Sequence, residues 1–264
     1  MRYFRIFLLY SQYLLAHPGK SIVWTLTAFL DALIFLAFLS GVFQQQTHIL
    51  DWTLSSVTAY YFILIAVSVG LLSKIDISIL TQDIEKGEID GRLLKPISYY
   101  WQKFYYEVPY RIFQGLLGII IGTSMAYVLK IHLPLVHDSV LLLQTVLIII
   151  LAYFLSFTFK MIIGIISFVT TDIRGLNELV TMIVLLFSGM ILPLNLLPVW
   201  MQNIAYSLPF AYIVYYPIMA ILGQISQNQL LSVIMMQAVW IIGLGLIYKQ
   251  LWKYVLKHFV SAGK

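Results

Sequence analysis

Apolar runs of about 20 residues, the length of helix that crosses a bilayer's hydrocarbon core, constrain this chain more than any other feature. Six segments reach or approach that length: Ser21–Phe43, Leu54–Leu72, Val108–Leu129, Val140–Phe159 (with an apolar continuation to Val169), Leu176–Leu192 and Leu230–Tyr248. Lipid cannot hydrogen-bond an open backbone, so each run is expected to be helical. The alternating pattern of a membrane barrel is absent. The chain is 61% hydrophobic and 10% charged, whereas about a quarter of the residues of a soluble domain are charged. The expected fold is an all-α integral membrane protein with six transmembrane helices in one domain, residues 1–264. No soluble lobe and no internal repeat interrupts it.

Charge placement predicts the orientation. Six crossings put both termini on one side. That side collects Arg2, Arg5, Lys20, Lys74, Lys86, Arg92, Lys95, Lys103, Arg111, Arg174, Lys249, Lys253, Lys257 and Lys264, and the other side only Lys130. Such asymmetry marks the basic side as cytoplasmic. The N-terminal stretch is expected to be retained, because Arg5, Ser11 and Gln12 break its apolar run and no small-residue cleavage site follows. The net charge of +5 on so apolar a chain points to an anionic membrane surface and not to nucleic acid.

Little in the sequence suggests catalysis. There is no cysteine, which excludes disulfides, thiolate metal sites and a cysteine nucleophile. The five histidines form no metal-ligand pattern, and His132, His137 and Asp138 read as ordinary loop polarity. Gly19-Lys20-Ser21 imitates the end of a phosphate-binding P-loop, but Leu14 stands where the first glycine is needed. No metal or cofactor is expected on this chain.

One dense polar segment stands out, DIEKGEIDGRLLKPISYYWQ at Asp83–Gln102, inside the cytoplasmic loop at residues 73–107. From Lys74, Ile77, Leu80 and Ile84 recur at helical spacing, with Asp76, Asp83 and Lys86 on other faces. Gly87 weakens that helix. Residues 88–94 fit a short second helix stopped by Pro96, acidic early and basic late as the helix dipole favours. Two readings fit: a solvated loop with an amphipathic helix, or a rigid knob that a partner grips.

The segment at residues 193–229 carries Pro193, Pro198, Pro209 and Pro217 in a sequence that stays apolar. It reads as re-entrant or interfacial helices before the last span, or as an ordinary external loop. Asp31, near the middle of the first span, is a functional candidate because intramembrane carboxylates are costly. Tyr60 and Tyr61 are its expected partners. Lys160 is expected to snorkel, and Glu178 to reach water.

The pattern D-I-E-K-G-E-I-D-G-R-L-L-K-P-I-S between spans two and three resembles that of ABC-2 type transporter permeases. So does the later series Ser188-Gly189-Met190-Ile191-Leu192-Pro193, then Leu197-Pro198-Val199-Trp200 and Leu208-Pro209-Phe210. Within that superfamily the chain resembles the poorly characterised group encoded as two dissimilar membrane subunits beside one ATPase. The resemblance implies a cytoplasmic coupling helix that docks an ABC ATPase, present as two copies or a dimer, with ATP and magnesium on that partner. Its residues here are Glu85, Gly87, Glu88, Asp90, Gly91, Arg92, Leu93, Leu94 and Pro96, with Glu88, Asp90 and Arg92 as polar contacts and Leu93/Leu94 as the ridge. Ile89 and Asp90 depart from the family's frequent Gly-Thr pair.

The resemblance also implies an interfacial helix over about residues 1–20 and an outer gate built from Gly189, Pro193, Pro198, Trp200, Pro209 and Phe210. It implies a second permease chain, identical or a dissimilar paralogue, surrounding lipid, a bacterial inner membrane and export. A self-contained channel or ion-coupled carrier is the alternative.

Overall fold

The computed structural model describes residues 2–43, 49–136, 138–168 and 173–258. Residues 169–172, the first of which, Val169, is the expected limit of the fourth span's continuation, lie outside them, as do 44–48, His137 and 259–264 with Lys264. The described residues are helical with no strand: α1 (Arg2–Ala16), α2 (Gly19–Phe43), α3 (Leu54–Leu71), α4 (Ile75–Ser78), α5 (Ile89–Leu93), α6 (Tyr99–Val128), α7 (Ser139–Ile166), α8 (Ile173–Phe187), α9 (Val199–Ser207), α10 (Tyr215–Ile221) and α11 (Gln227–His258). A π-helical turn, Ile79–Ile84, continues α4, and a 3₁₀ turn, Leu194–Leu196, precedes α9.

Among the described residues, five helical segments are long and apolar enough to cross a membrane: Gly19–Phe43, Leu54–Ile84, Tyr99–Val128, Ser139–Ile166 and Gln227–Lys257. The expected run Leu176–Leu192 differs. Its helix, α8, has 15 residues and ends at Phe187, shorter than the ~20 of a regular crossing. Gly189 takes a φ of +91° just beyond it and Pro193 follows, so the chain cannot continue as helix. The third run begins earlier than Val108, because Tyr99–Tyr106 is helical and α6 passes through Pro109.

Local chemistry fixes the helix starts. Thr53 and Ser56 form a reciprocal capping box at α3. Asp138 caps α7 by accepting from the Val140 and Leu141 N–H groups at 2.9 and 3.0 Å. At the break between α3 and α4, Ser73 N–H donates to Ser156 Oγ (2.9 Å) and Lys74 N–H to Glu107 Oε1 (2.7 Å), so neither buried donor is orphaned.

Two close pairs form the body of the molecule, α3 with α6 and α7 with α11. Glycines set the first. A Cβ on Gly118 would lie 2.6 Å from Ala66 Cα, and one on Gly122 only 2.5 Å from Phe62 O. This is the backbone-to-backbone approach that small-xxx-small spacing permits between membrane helices. Gln237 ties the second pair, donating to Ile148 O (3.1 Å) and Tyr212 O (2.9 Å). Helix α1 lies along α6, with Tyr3 stacked on Tyr105 at 5.3 Å and Tyr10 edge-on to Tyr106 at 4.7 Å.

Candidate functional site

Every ion pair among the described residues lies at one end of the bundle, the end that carries α5. Asp83 is fully buried. Lys103 Nζ stands 2.7 Å from its Oδ2, and Arg92 Nε 2.7 Å from its Oδ1 as an ion pair without aligned hydrogen-bond geometry. The Tyr99 hydroxyl also donates to Asp83. Arg92 Nη2 donates to Glu88 Oε2 at 2.8 Å and to Gln82 Oε1 at 3.2 Å. Burial works against the Arg92 charge, but Asp83, a hydrogen bond with Tyr10 and Glu88 together hold its pKa above the ordinary arginine value. Asp83, Glu88, Arg92 and Lys103 thus balance in charge.

The same cluster fastens α5 to several elements. Gln102 Nε2 donates to Arg92 O (3.1 Å) and Ile97 O (2.8 Å), which closes the turn after α5 onto α6. The Tyr99 ring stacks on Trp252 of α11 at 4.7 Å. Asp76 accepts from Lys160 of α7 at 2.7 Å. Glu107 accepts from the Ser73 hydroxyl at 2.6 Å and pairs with Arg111 Nε at 3.1 Å, while Arg111 Nη1 donates to Val69 O at 3.0 Å.

Helix α5 itself is a short knob. Gly87, with φ of +70°, turns the chain into it, and Ile89 plugs it into the core. Leu93 is 38% and Leu94 86% exposed, and Glu85, Asp90, Gly91 and Pro96 are also exposed. An apolar tip held out by a rigid base suits a cleft on another protein.

At the opposite end, Tyr60 Oη donates to Gly189 O at 2.7 Å, Tyr61 donates to Ile191 O, and Trp52 Nε1 donates to Asn195 Oδ1 at 3.0 Å. Pro193, Pro209 and Phe210 are buried, whereas Pro198 and Trp200, which open α9, are exposed. Val136 N–H donates to Ile221 O at 3.2 Å, which joins the α6–α7 connection to α10. A Cβ on Gly189 would lie 2.7 Å from Tyr60 Oη. Gly189→Ala is therefore expected to lower stability by about 1–3 kcal/mol through its positive φ alone. Thermal unfolding in detergent checks this, with an unshifted midpoint against it.

The model of the ABC-2 family transporter proteins matches residues 27–263. The chain belongs to the ABC-2 family. No curated protein matches it. This ABC-2 protein is thus a multi-pass, all-α permease component of an ABC transporter, from a family of generally non-catalytic membrane transport parts.

Several residues of the permease stand elsewhere than the sequence reading put them. Asp76 and Asp83 are buried and Ile77 is 45% exposed, the reverse of the expected faces. The π-turn changes the angular step along this segment, so Ile79 and Asp83 both face inward. Arg92, expected as a contact for a partner, is turned into its own chain. Lys160 is paired with Asp76 instead of snorkelling. Asp31 is exposed on α2, and its expected partners Tyr60 and Tyr61 give their hydroxyls to backbone carbonyls at 189 and 191. Glu107, Lys103 and Arg111 join the cluster without a motif that marks them in the sequence. The i, i+4 spacing of Glu107 and Arg111 in an otherwise apolar helix was the available signal.

Proposed function

We propose that this permease is the membrane part of an exporter in which ATPase subunits, carrying ATP and magnesium, dock on α5 from the cytoplasm. The observation that carries the reading is the contrast within α5. Its Arg92 base is locked by Asp83 and Glu88, while Leu94 at its tip is 86% exposed. Force applied to that tip passes to α6 through Lys103 and Gln102, and to α11 through the Tyr99–Trp252 stack.

In this reading the α5 end is cytoplasmic, in line with the basic residues gathered there. Helix α8 and residues 188–192 together make a sixth crossing, which leaves both termini inside. Support comes from connectivity: α8 follows the α7 end where Gly164 meets Asp76, and the chain reaches Tyr60–Tyr61 near the opposite start of α3. Two permease chains, identical or paralogous, line the path across a bacterial inner membrane, and the segment from Gly189 to Phe210 closes it on the outside.

The inward turn of Arg92 decides how docking is tested. Reversing Arg92 would disturb the chain's own fold, so the probing substitution belongs on Leu94. Leu94→Glu, made in the native cells with a tagged chain, is expected to abolish co-purification of a P-loop ATPase while leaving the permease's yield and melting unchanged. A wild-type chain that purifies without an ATPase would overturn the reading.

A further inference from the structure

Where α1 ends and α2 begins, a cavity of about 270 Å³ opens between these helices, α4 and α6. Neither α5 nor the Gly189–Phe210 segment takes part in it. Four charged side chains line it: Lys20, Lys74, Glu107 and Arg111. Glu107 and Arg111 neutralise each other at 3.1 Å. Lys20 and Lys74 have no carboxylate within ion-pair distance among the described residues. Instead the Lys74 ammonium sits 3.3 Å from the centre of the Trp24 ring, a cation–π contact that leaves its hydrogen-bond donors available. The cavity therefore holds two cations with no direct ion-pair partner, Asp31 and Asp76 acting on Lys74 only from beyond that distance.

A second, independent observation comes from Gln114. It lines the same cavity, is only 4% exposed, and its amide oxygen has no hydrogen-bond partner. A buried acceptor without a donor is costly enough to need an explanation. The occupant that completes both features carries an anion for the two lysines and a hydroxyl or ammonium donor for Gln114.

A neighbouring cavity of about 130 Å³ shares Trp24 and Lys74 as a common wall. Apart from Thr27, Asp31 and Ser68, its walls beyond Lys74 are hydrocarbon or thioether, with Phe35, Leu64 and Leu72 among them. A polar chamber with unpaired cations thus adjoins a mainly apolar one. That is the shape of an amphiphile's headgroup and the root of its chain. The aromatic residues Tyr13, Trp24 and Tyr110 around the first chamber suit the level of a membrane interface.

We propose that the first cavity binds the phosphate-bearing headgroup of a membrane lipid. The phosphate lies between Lys20 and Lys74, a headgroup hydroxyl or ammonium donates to Gln114, and the acyl chain leaves past Trp24 into the second cavity. Glu107 is paired with Arg111 and Asp76 with Lys160, and Asp31 attracts Lys74 from across the second cavity but beyond ion-pair distance, so the phosphate is the group that can pair directly with both lysines. The inference rests on the membrane placement of α2 and on no part of the ATPase reading. Loss of ATPase co-purification therefore leaves it standing, and the reverse also holds.

Native mass spectrometry of the delipidated full-length chain tests it, with phosphatidylglycerol, a phosphate-free glycosyl diacylglycerol and inorganic phosphate as separate probes. One phosphatidylglycerol is expected to bind about tenfold more tightly than the glycolipid, since each interfacial lysine favours an anionic lipid severalfold. Lys20→Ala/Lys74→Ala should lose that preference, and Lys74→Arg should keep it. Lys20→Ala alone, at an exposed side chain, supplies a variant whose fold is not at stake and should lose part of the preference. Equal affinity for the two lipids, or an unchanged preference in the double variant, would overturn the site. Inorganic phosphate binding as tightly as the phospholipid would overturn the lipid as its source.

Discussion

Asp83→Ala is expected to destabilise the permease by about 3–5 kcal/mol, because it leaves the buried Lys103 ammonium without its partner. Lys103 is 0% exposed, so it has no route to water without moving the start of α6. Arg92 retains Glu88 and Gln82 in the variant, which places the cost on Lys103. Two comparisons separate this account from a general sensitivity of the segment. Glu88→Ala removes only a half-exposed partner of Arg92 and should cost less than about 1 kcal/mol. Asp83→Leu combined with Lys103→Leu should be milder than Asp83→Ala, since a buried pair exchanged for apolar side chains avoids the unpaired charge. Unfolding midpoints of the purified chain in detergent provide the readout. Equal midpoints for Asp83→Ala and Glu88→Ala would mean that the buried pair does not hold α5.

The contrast between these positions explains what was legible in the sequence. Apolar length located α2, α3, α6, α7 and α11, because lipid exposure requires it whatever the tertiary contacts. Gly87 and Pro96 marked the two sides of α5 through backbone chemistry that acts locally. The orientation of Asp76 and Asp83 was not legible. Their burial depends on Lys160, Arg92 and Lys103, cations supplied by distant or separate elements, and on a π-turn that ordinary helical spacing does not anticipate. The length of α8 is not legible in the sequence for a related reason. Residues 188–192 are as apolar as the helix before them, but Gly189 carries the backbone away so that its carbonyl meets Tyr60. Arg92 shows the same limit at the candidate site, since a surface contact and a buried anchor have identical signatures in a charged loop.

Gly122→Leu is expected to be the most damaging single change within a span. The first atom of the new side chain would fall 2.5 Å from Phe62 O, a backbone atom with no rotamer to yield. The variant must therefore separate α6 from α3, and small side chains at such contacts are what hold membrane helices together when lipid removes the hydrophobic drive. Forced overpacking of this kind costs about 1–3 kcal/mol at a position that can relax, and the backbone contact puts Gly122 at or above the upper end. On the proposed docking of an ATPase at α5, the separation would carry function with it, because α6 bears Lys103 and Glu107, and Arg111 on the same helix reaches Val69 O. Gly122→Leu should accordingly lower the unfolding midpoint and weaken ATPase capture together, whereas Leu94→Glu should affect capture alone. Gly115→Ala supplies the graded control, since its Cβ would meet Gly70 Cα at an ordinary 3.4 Å and should be tolerated. Gly245→Ala, with nothing within 4 Å of its Cβ, should be neutral or stabilising by up to about 1 kcal/mol from helix propensity. If Gly122→Leu melts with Gly245→Ala, the close approach of α6 to α3 does not exist in the membrane, and the path from α5 into the bundle must run through α7 and α11 instead.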